Sequence, residues 1–137
     1  MGAVERVQAL LAAAGTDIRV VHLEENTRTA ELAARALGTE VGAKRADPAK
    51  IARLLGAQTA EIAKAAVVKE RTGFAIGGVP PLIKNEEGRQ VPTLMDRHLL
   101  RFPTVYAAAG SPFAIFPAAP LALARLVGAD IVDLTEE

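Results

Sequence analysis

Ten residues near the middle of the chain, Thr72-Gly73-Phe74-Ala75-Ile76-Gly77-Gly78-Val79-Pro80-Pro81, restrict the backbone more than any other stretch. Paired glycines permit positive φ and let a ligand approach main-chain N–H groups closely, whereas each proline locks φ near about −65° and removes a donor. The expected result is a stiff loop with exposed amides at one end. By spacing alone, the same residues also fit a turn that merely joins two strands.

Composition bounds what surrounds this loop. The 137 residues, 50% hydrophobic and 23% charged, suit one compact domain with one core. Sixteen basic residues balance sixteen acidic ones, and the pI is 6.8, so nucleic acid is not held by bulk charge and any RNA contact must be local. Cysteine is absent, which excludes disulfides, thiolate nucleophiles and cysteine-ligated zinc. No basic-then-apolar leader opens the chain and no apolar run reaches the roughly 18 residues of a membrane span. The expectation is a cytoplasmic protein without membrane contact.

Helical and extended signals alternate. Val4, Val7, Leu10 and Leu11 recur at helical spacing and predict a helix near residues 3 to 14, and Ile18 to Leu23 reads as a strand. Thr29 can cap a helix through Leu37 with Gly38 as its stop, and Asp47-Pro48 opens another that ends before Gly56. Thr59 predicts a further helix over 60 to 71, with Ile62, Ala65, Ala66 and Val68 on one side and Gly73 as its end. Short β-like runs follow at Val91 to Met95, Thr104 to Ala108 and Phe113 to Phe116, then a helix opened by Pro120 and a strand from Asp130 to Leu134. This order predicts an α/β fold in which a mixed sheet is flanked by helices, in a single domain over residues 1–137.

The motifs occur in a recognisable sequence. Thr72-Gly73-Phe74 leads through Ala75-Ile76 to Gly77-Gly78-Val79-Pro80-Pro81, then Thr93-Leu94-Met95-Asp96 and Leu99-Leu100, then Val105 to Ala109 with Gly110-Ser111-Pro112, and finally Asp130 to Leu134. Upstream stands Thr27-Arg28-Thr29-Ala30-Glu31-Leu32-Ala33-Ala34-Arg35-Ala36-Leu37-Gly38. In this order the chain resembles the YbaK/ProX family, the free-standing relatives of the prolyl-tRNA synthetase editing domain, over most of its length. The family places a strand of the form Ile-x-Lys-small-Leu-Val-aromatic after the first of these helices. Here Gly42-Ala43-Lys44-Arg45 leads directly to Asp47-Pro48, and a piece of about hairpin length is missing. Either Lys44 stands in from a shortened connection, or Ile62-Ala63-Lys64-Ala65-Ala66-Val67-Val68 is the displaced lysine segment; Lys64 also reads as a solvated helical lysine. A third alternative is that the natural protein carries a further segment after Ala43. After the prolines, Lys84 and Asn85 fit either polar contacts at a pocket mouth or a charged hairpin turn, and Phe113 would make the pocket more apolar.

His22 and His98 have no partner at metal-ligand spacing, so no metal site is expected. His98 with Arg97 and Arg101 could touch RNA phosphate or form a solvated turn. Neither a nucleophile-elbow serine motif nor a phosphate-binding Gly-Lys-Ser/Thr motif is present.

The resemblance implies hydrolysis of the ester joining an amino acid to the terminal ribose of a mischarged tRNA, without a cofactor. It implies that Gly77, Gly78, Val79, Pro80 and Pro81 orient the carbonyl and supply oxyanion donors, with Lys64 or Lys44, Thr29, Asp96 and Gly110 contacting substrate. The expected partners are the acceptor end of a mischarged tRNA, an aminoacyl-tRNA synthetase and a second copy of the chain in a homodimer. The shortened connection predicts weak or no hydrolysis, with a form restoring the lysine strand active. The alternative is a non-catalytic binding module of the same fold that has lost this strand. Gly78→Val is expected to abolish activity with little loss of fold.

Overall fold

The computed structural model describes residues 2–23, 46–84 and 87–135. Thr29, Lys44, Asn85, the expected helix at 29 to 37 and the Gly42 to Arg45 connection lie outside the described residues.

Helix α1, Ala3–Ala13, turns Val7 and Leu11 into the core, one helical turn apart and both fully buried. The Glu5 carboxylate accepts from the Gly2 amide at its start. Strand β1 is only Val21–His22, shorter than the expected Ile18 to Leu23. The reason lies in Gln8 of α1, whose side-chain amide donates to the Ile18 carbonyl and accepts from the Val20 amide, each at 2.9 Å. A helix side chain thus takes hydrogen bonds that a neighbouring strand would otherwise make.

Helix α2, Pro48–Leu55, follows the expected caps. The Asp47 carboxylate accepts from the Ala49 amide at 2.9 Å, Pro48 occupies the first turn, and Gly56 closes the helix at φ 71°. Helix α3 spans Ala65–Thr72 and not 60 to 71, with Lys64 and not Thr59 at its N-cap. The expected apolar side meets no core. Ile62 is 84% exposed, Ala65 and Ala66 are also exposed, and only Val68 is half-buried. Without a buried face, the alanine, glutamate and lysine of residues 58–64 have too little intrinsic propensity to hold a short helix.

Strands β2 (Leu94–Asp96), β3 (Val105–Ala108), β4 (Ala114–Ala118) and β5 (Asp130–Val132) complete the sheets, with a 3-10 helix over Arg97–Arg101 and helix α4 over Pro120–Val127. One sheet is antiparallel in the order β1-β4-β3, and the other pairs β2 with β5 in parallel. The expected mixture of strand directions is therefore divided between two sheets among the described residues. The parallel pair needs a crossover, and α4, opened by Pro120 and stopped by Gly128 at φ 65°, lies within it. Strand β2 begins later than the expected Val91, because Val91 instead donates to the Ile83 carbonyl across a short hairpin bridged at Lys84 and Gln90. Phe116, fully buried on β4, joins Val7, Leu11, Phe74, Leu82, Met95 and Val127 in the core beneath both helices α1 and α4. Among the described residues, no helix is long and apolar enough to cross a membrane.

Candidate active site

The glycine-proline loop is held at its entrance, middle and exit. At the entrance, Gly73 takes φ 79° and ends α3. The Thr72 hydroxyl donates to the Val68 carbonyl at 2.7 Å and accepts from the Phe74 amide at 3.1 Å. Arg6 arrives from α1: Nη2 donates to the Gly73 carbonyl at 3.0 Å and the guanidinium carbon lies 4.5 Å from the centre of the buried Phe74 ring. These contacts join the first helix to the loop by a hydrogen bond and a cation–π contact.

In the middle, the Gly78 amide donates to the Ala75 carbonyl at 3.0 Å, with Gly77 at φ 88°. Ile76 has no positive φ, so the four residues form a type II turn, which requires glycine at its third position. The Gly78 carbonyl accepts from Gly110 at 2.8 Å. At the exit, Pro80 is fully buried and the Pro81 carbonyl accepts from Gln90 Nε2 at 2.8 Å. Thus the Gly78 amide closes the turn, whereas the Gly77 and Val79 amides make no hydrogen bond with any described residue.

This geometry corrects the expected effect of Gly78→Val. Gly78 is buried and does not have positive φ; an added Cβ would lie 2.7 Å from both the Gly110 carbonyl carbon and Ser111 N. The glycine is needed for close backbone packing, so valine there disrupts the fold as well as the loop.

The other expected site residues fall in separate places. Gly110, at φ 97°, is wedged between the loop and the start of α1: a Cβ on it would stand 2.7 Å from the Ala3 carbonyl oxygen. Lys64 is exposed at the start of α3 and makes no side-chain hydrogen bond or ion pair with a described residue. Phe113 is 45% exposed. Asp96 ends β2 and accepts from His98 Nδ1 at 3.1 Å, when that nitrogen carries the proton.

Sequence reasoning did not bring Asp133 to this place. The parallel register sets Asp96 opposite Val132, and candidate ligand atoms of Asp96, His98 and Asp133 then lie within 4.8 Å of one another. Cations also converge there, Lys50 at 3.4 Å and Arg97 at 3.8 Å from Asp133. Burial alone would raise the Asp133 pKa, but the Thr135 amide and hydroxyl and the Lys50 ammonium outweigh it and hold the carboxyl below its ordinary value. This polar cluster ties α2 and the 3-10 helix to the end of β5. Arg101 turns elsewhere, over the Phe102 ring.

A cavity of about 480 Å³ is lined by residues of α1, by Thr72 and Phe74, and by residues 82–84. None of Gly77 to Pro81 lines it. Lys84 does, so the hairpin lysine stands at a pocket mouth, but at this one.

Comparison with known proteins settles the relationship. The family model described as aminoacyl-tRNA editing domain matches residues 41–126, more than half of the chain, and includes the whole glycine-proline loop. The chain belongs to the aminoacyl-tRNA editing domain family. A solved structure described as a candidate trans-editing enzyme for prolyl-tRNA synthetase is 37% identical, with 100% of this chain and 99% of that one covered and a TM-score of 0.89. A scaffold solved in work on epitope backbone grafting by computational design is 36% identical over 98% of each chain, with a TM-score of 0.88. A hypothetical protein of known structure is 27% identical over 96% of this chain and 99% of its own, with a TM-score of 0.82. The likeness to these solved structures covers 96% to 100% of this chain, more than the residues 41–126 matched by the family model.

Proposed function

We propose that residues 1–137 act as one editing domain that hydrolyses mischarged aminoacyl-tRNA in trans. The observation that carries this reading is that the Gly77 and Val79 amides, within and just after a pinned type II turn, make no hydrogen bond with a described residue, in a chain of the editing family. An aminoacyl ester is already activated toward attack. Water adds to its carbonyl carbon, the oxygen gains negative charge, and the bond to the ribose oxygen breaks, releasing the amino acid and the free tRNA hydroxyl. Fixed main-chain N–H donors stabilise that oxygen in the transition state without reorganising. The ties at Gly73, Gly78 and Pro81 keep such donors rigid.

In this reading the acceptor end of the tRNA supplies the ester, and a ribose hydroxyl helps to activate water. Lys44 or Lys64 holds polar groups of the substrate. An aminoacyl-tRNA synthetase is the expected source of the mischarged tRNA, the cytoplasm the expected compartment and a homodimer the expected assembly. Deacylation of a panel of mischarged tRNAs by the purified chain tests the proposal. Lys44→Ala and Lys64→Ala in the same assay assign the lysine: loss in one alone names it. Unchanged rates in both leave the loop amides and the substrate hydroxyl as the working groups.

A further inference from the structure

The cavity beside α1 has an arrangement of charge that the editing chemistry does not use. Its one wall is a helical stripe, Ala9, Leu10 and Ala13, and the facing wall is Leu82 and Ile83. Thr72 and Phe74 also line it. Two cations border these apolar surfaces, Arg6 and Lys84, and no carboxylate is among the described lining residues. Neither cation makes an ion pair with a described residue. Arg6 uses Nη2 on the Gly73 carbonyl, while its Nε is buried and has no hydrogen-bond partner. A guanidinium cannot lose its charge, and an unpaired buried donor is unfavourable.

We propose that this cavity is a second ligand site, for a monocarboxylate with an apolar body. The carboxylate would lie between Arg6 and Lys84, where a guanidinium edge and an ammonium both donate charge-assisted hydrogen bonds. The hydrocarbon would cover the alanine stripe and the Leu82-Ile83 wall, and the volume is in the usual range of about 300–1,000 Å³ for small-molecule pockets. A zwitterionic amino acid fits less well, because no acidic group among the described lining residues receives its ammonium. A bare inorganic anion would leave the apolar walls in water. The site shares only the Thr72–Phe74 entrance with the glycine-proline loop and does not depend on the editing reaction.

Titration of the full chain with sodium hexanoate, followed by amide chemical shifts in ¹⁵N-labelled protein, tests this directly. Saturable shifts are expected at Ala9, Leu10, Ala13, Ile83 and Lys84, with a Kd of about 1 mM or tighter for so small a ligand. The neutral counterpart hexanamide should bind at least about tenfold more weakly, since it lacks the charge. Lys84→Met should weaken hexanoate binding about threefold or more at one exposed cation. Ala13→Phe, on the open face of α1, should abolish binding while the rest of the spectrum keeps its folded dispersion. Absence of saturable shifts up to about 20 mM, more than tenfold above that Kd, would overturn the site. Equal binding of hexanamide, or undiminished binding by Ala13→Phe or Lys84→Met, would overturn it as well.

Discussion

The Gly110 amide donates to the Gly78 carbonyl at 2.8 Å, so the turn between β3 and β4 and the glycine-proline loop are joined backbone to backbone. Two glycines are needed because each backbone approaches too closely for a side chain. An added Cβ would stand 2.7 Å from main-chain atoms at either position. Gly78→Ala should therefore destabilise the protein by about 1–3 kcal/mol through forced backbone displacement, read as a lower midpoint in urea unfolding. A Gly78→Ala protein of wild-type stability would mean that the loop and the turn can separate freely.

Arg6 and Phe74 supply a second tie. Arg6→Met keeps much of the side-chain volume but removes the donor to Gly73 and the charge above the ring. The expected loss is about 1–3 kcal/mol, combining a hydrogen bond from a charged group with a cation–π contact. Because the entrance to the turn also loosens, deacylation should fall by more than the change in folded fraction explains. Parallel measurement of rate and unfolding midpoint checks this.

Asp133 gives a prediction about acid. Its folded pKa is depressed below the ordinary carboxylate value of about 3.9, so its contribution to stability is present above that value. The contribution is lost as pH falls through the lower, folded pKa. The stability difference between wild type and Asp133→Asn should thus be constant near neutrality and shrink on acidification. Urea midpoints measured across this pH range should converge, and a difference that grows in acid would contradict the assigned contacts with Lys50 and Thr135.

Val79→Pro removes an amide that makes no hydrogen bond with a described residue, by replacing its N–H with a ring carbon. If that amide faces the developing oxyanion, the deacylation rate should fall about 10²–10³-fold, the usual effect of losing one such donor. The circular dichroism spectrum and thermal midpoint, measured alongside, separate this from unfolding. An unchanged rate in a folded Val79→Pro protein would show that the Val79 amide does not serve the oxyanion and would shift that role to Gly77.

Local signals in the sequence were legible where they act locally. Asp47-Pro48 and Gly56 mark the ends of α2, and Pro120 the start of α4, because capping and φ restriction are decided within a few residues. The start of α3 was not legible, since a helix-compatible composition over residues 58–64 is not strong enough to hold a helix without a buried face, which only the tertiary structure decides. The glycines at 77 and 78 announced a special loop, but not which one supplies positive φ and which one close packing. That division depends on Gly110, brought in by the β3–β4 hairpin. The meeting of Asp96 and His98 with Asp133 follows from a parallel register that no local pattern encodes. Arg6 was equally hidden, because its partner Gly73 lies 67 residues away.

The most direct measurement is the rate at which the purified chain releases amino acid from each of a panel of mischarged tRNAs, set against the spontaneous rate in buffer. The account predicts release above the spontaneous rate for at least one of them, lowered by Val79→Pro. A folded chain whose rate equals that of buffer for every tRNA in the panel would contradict it.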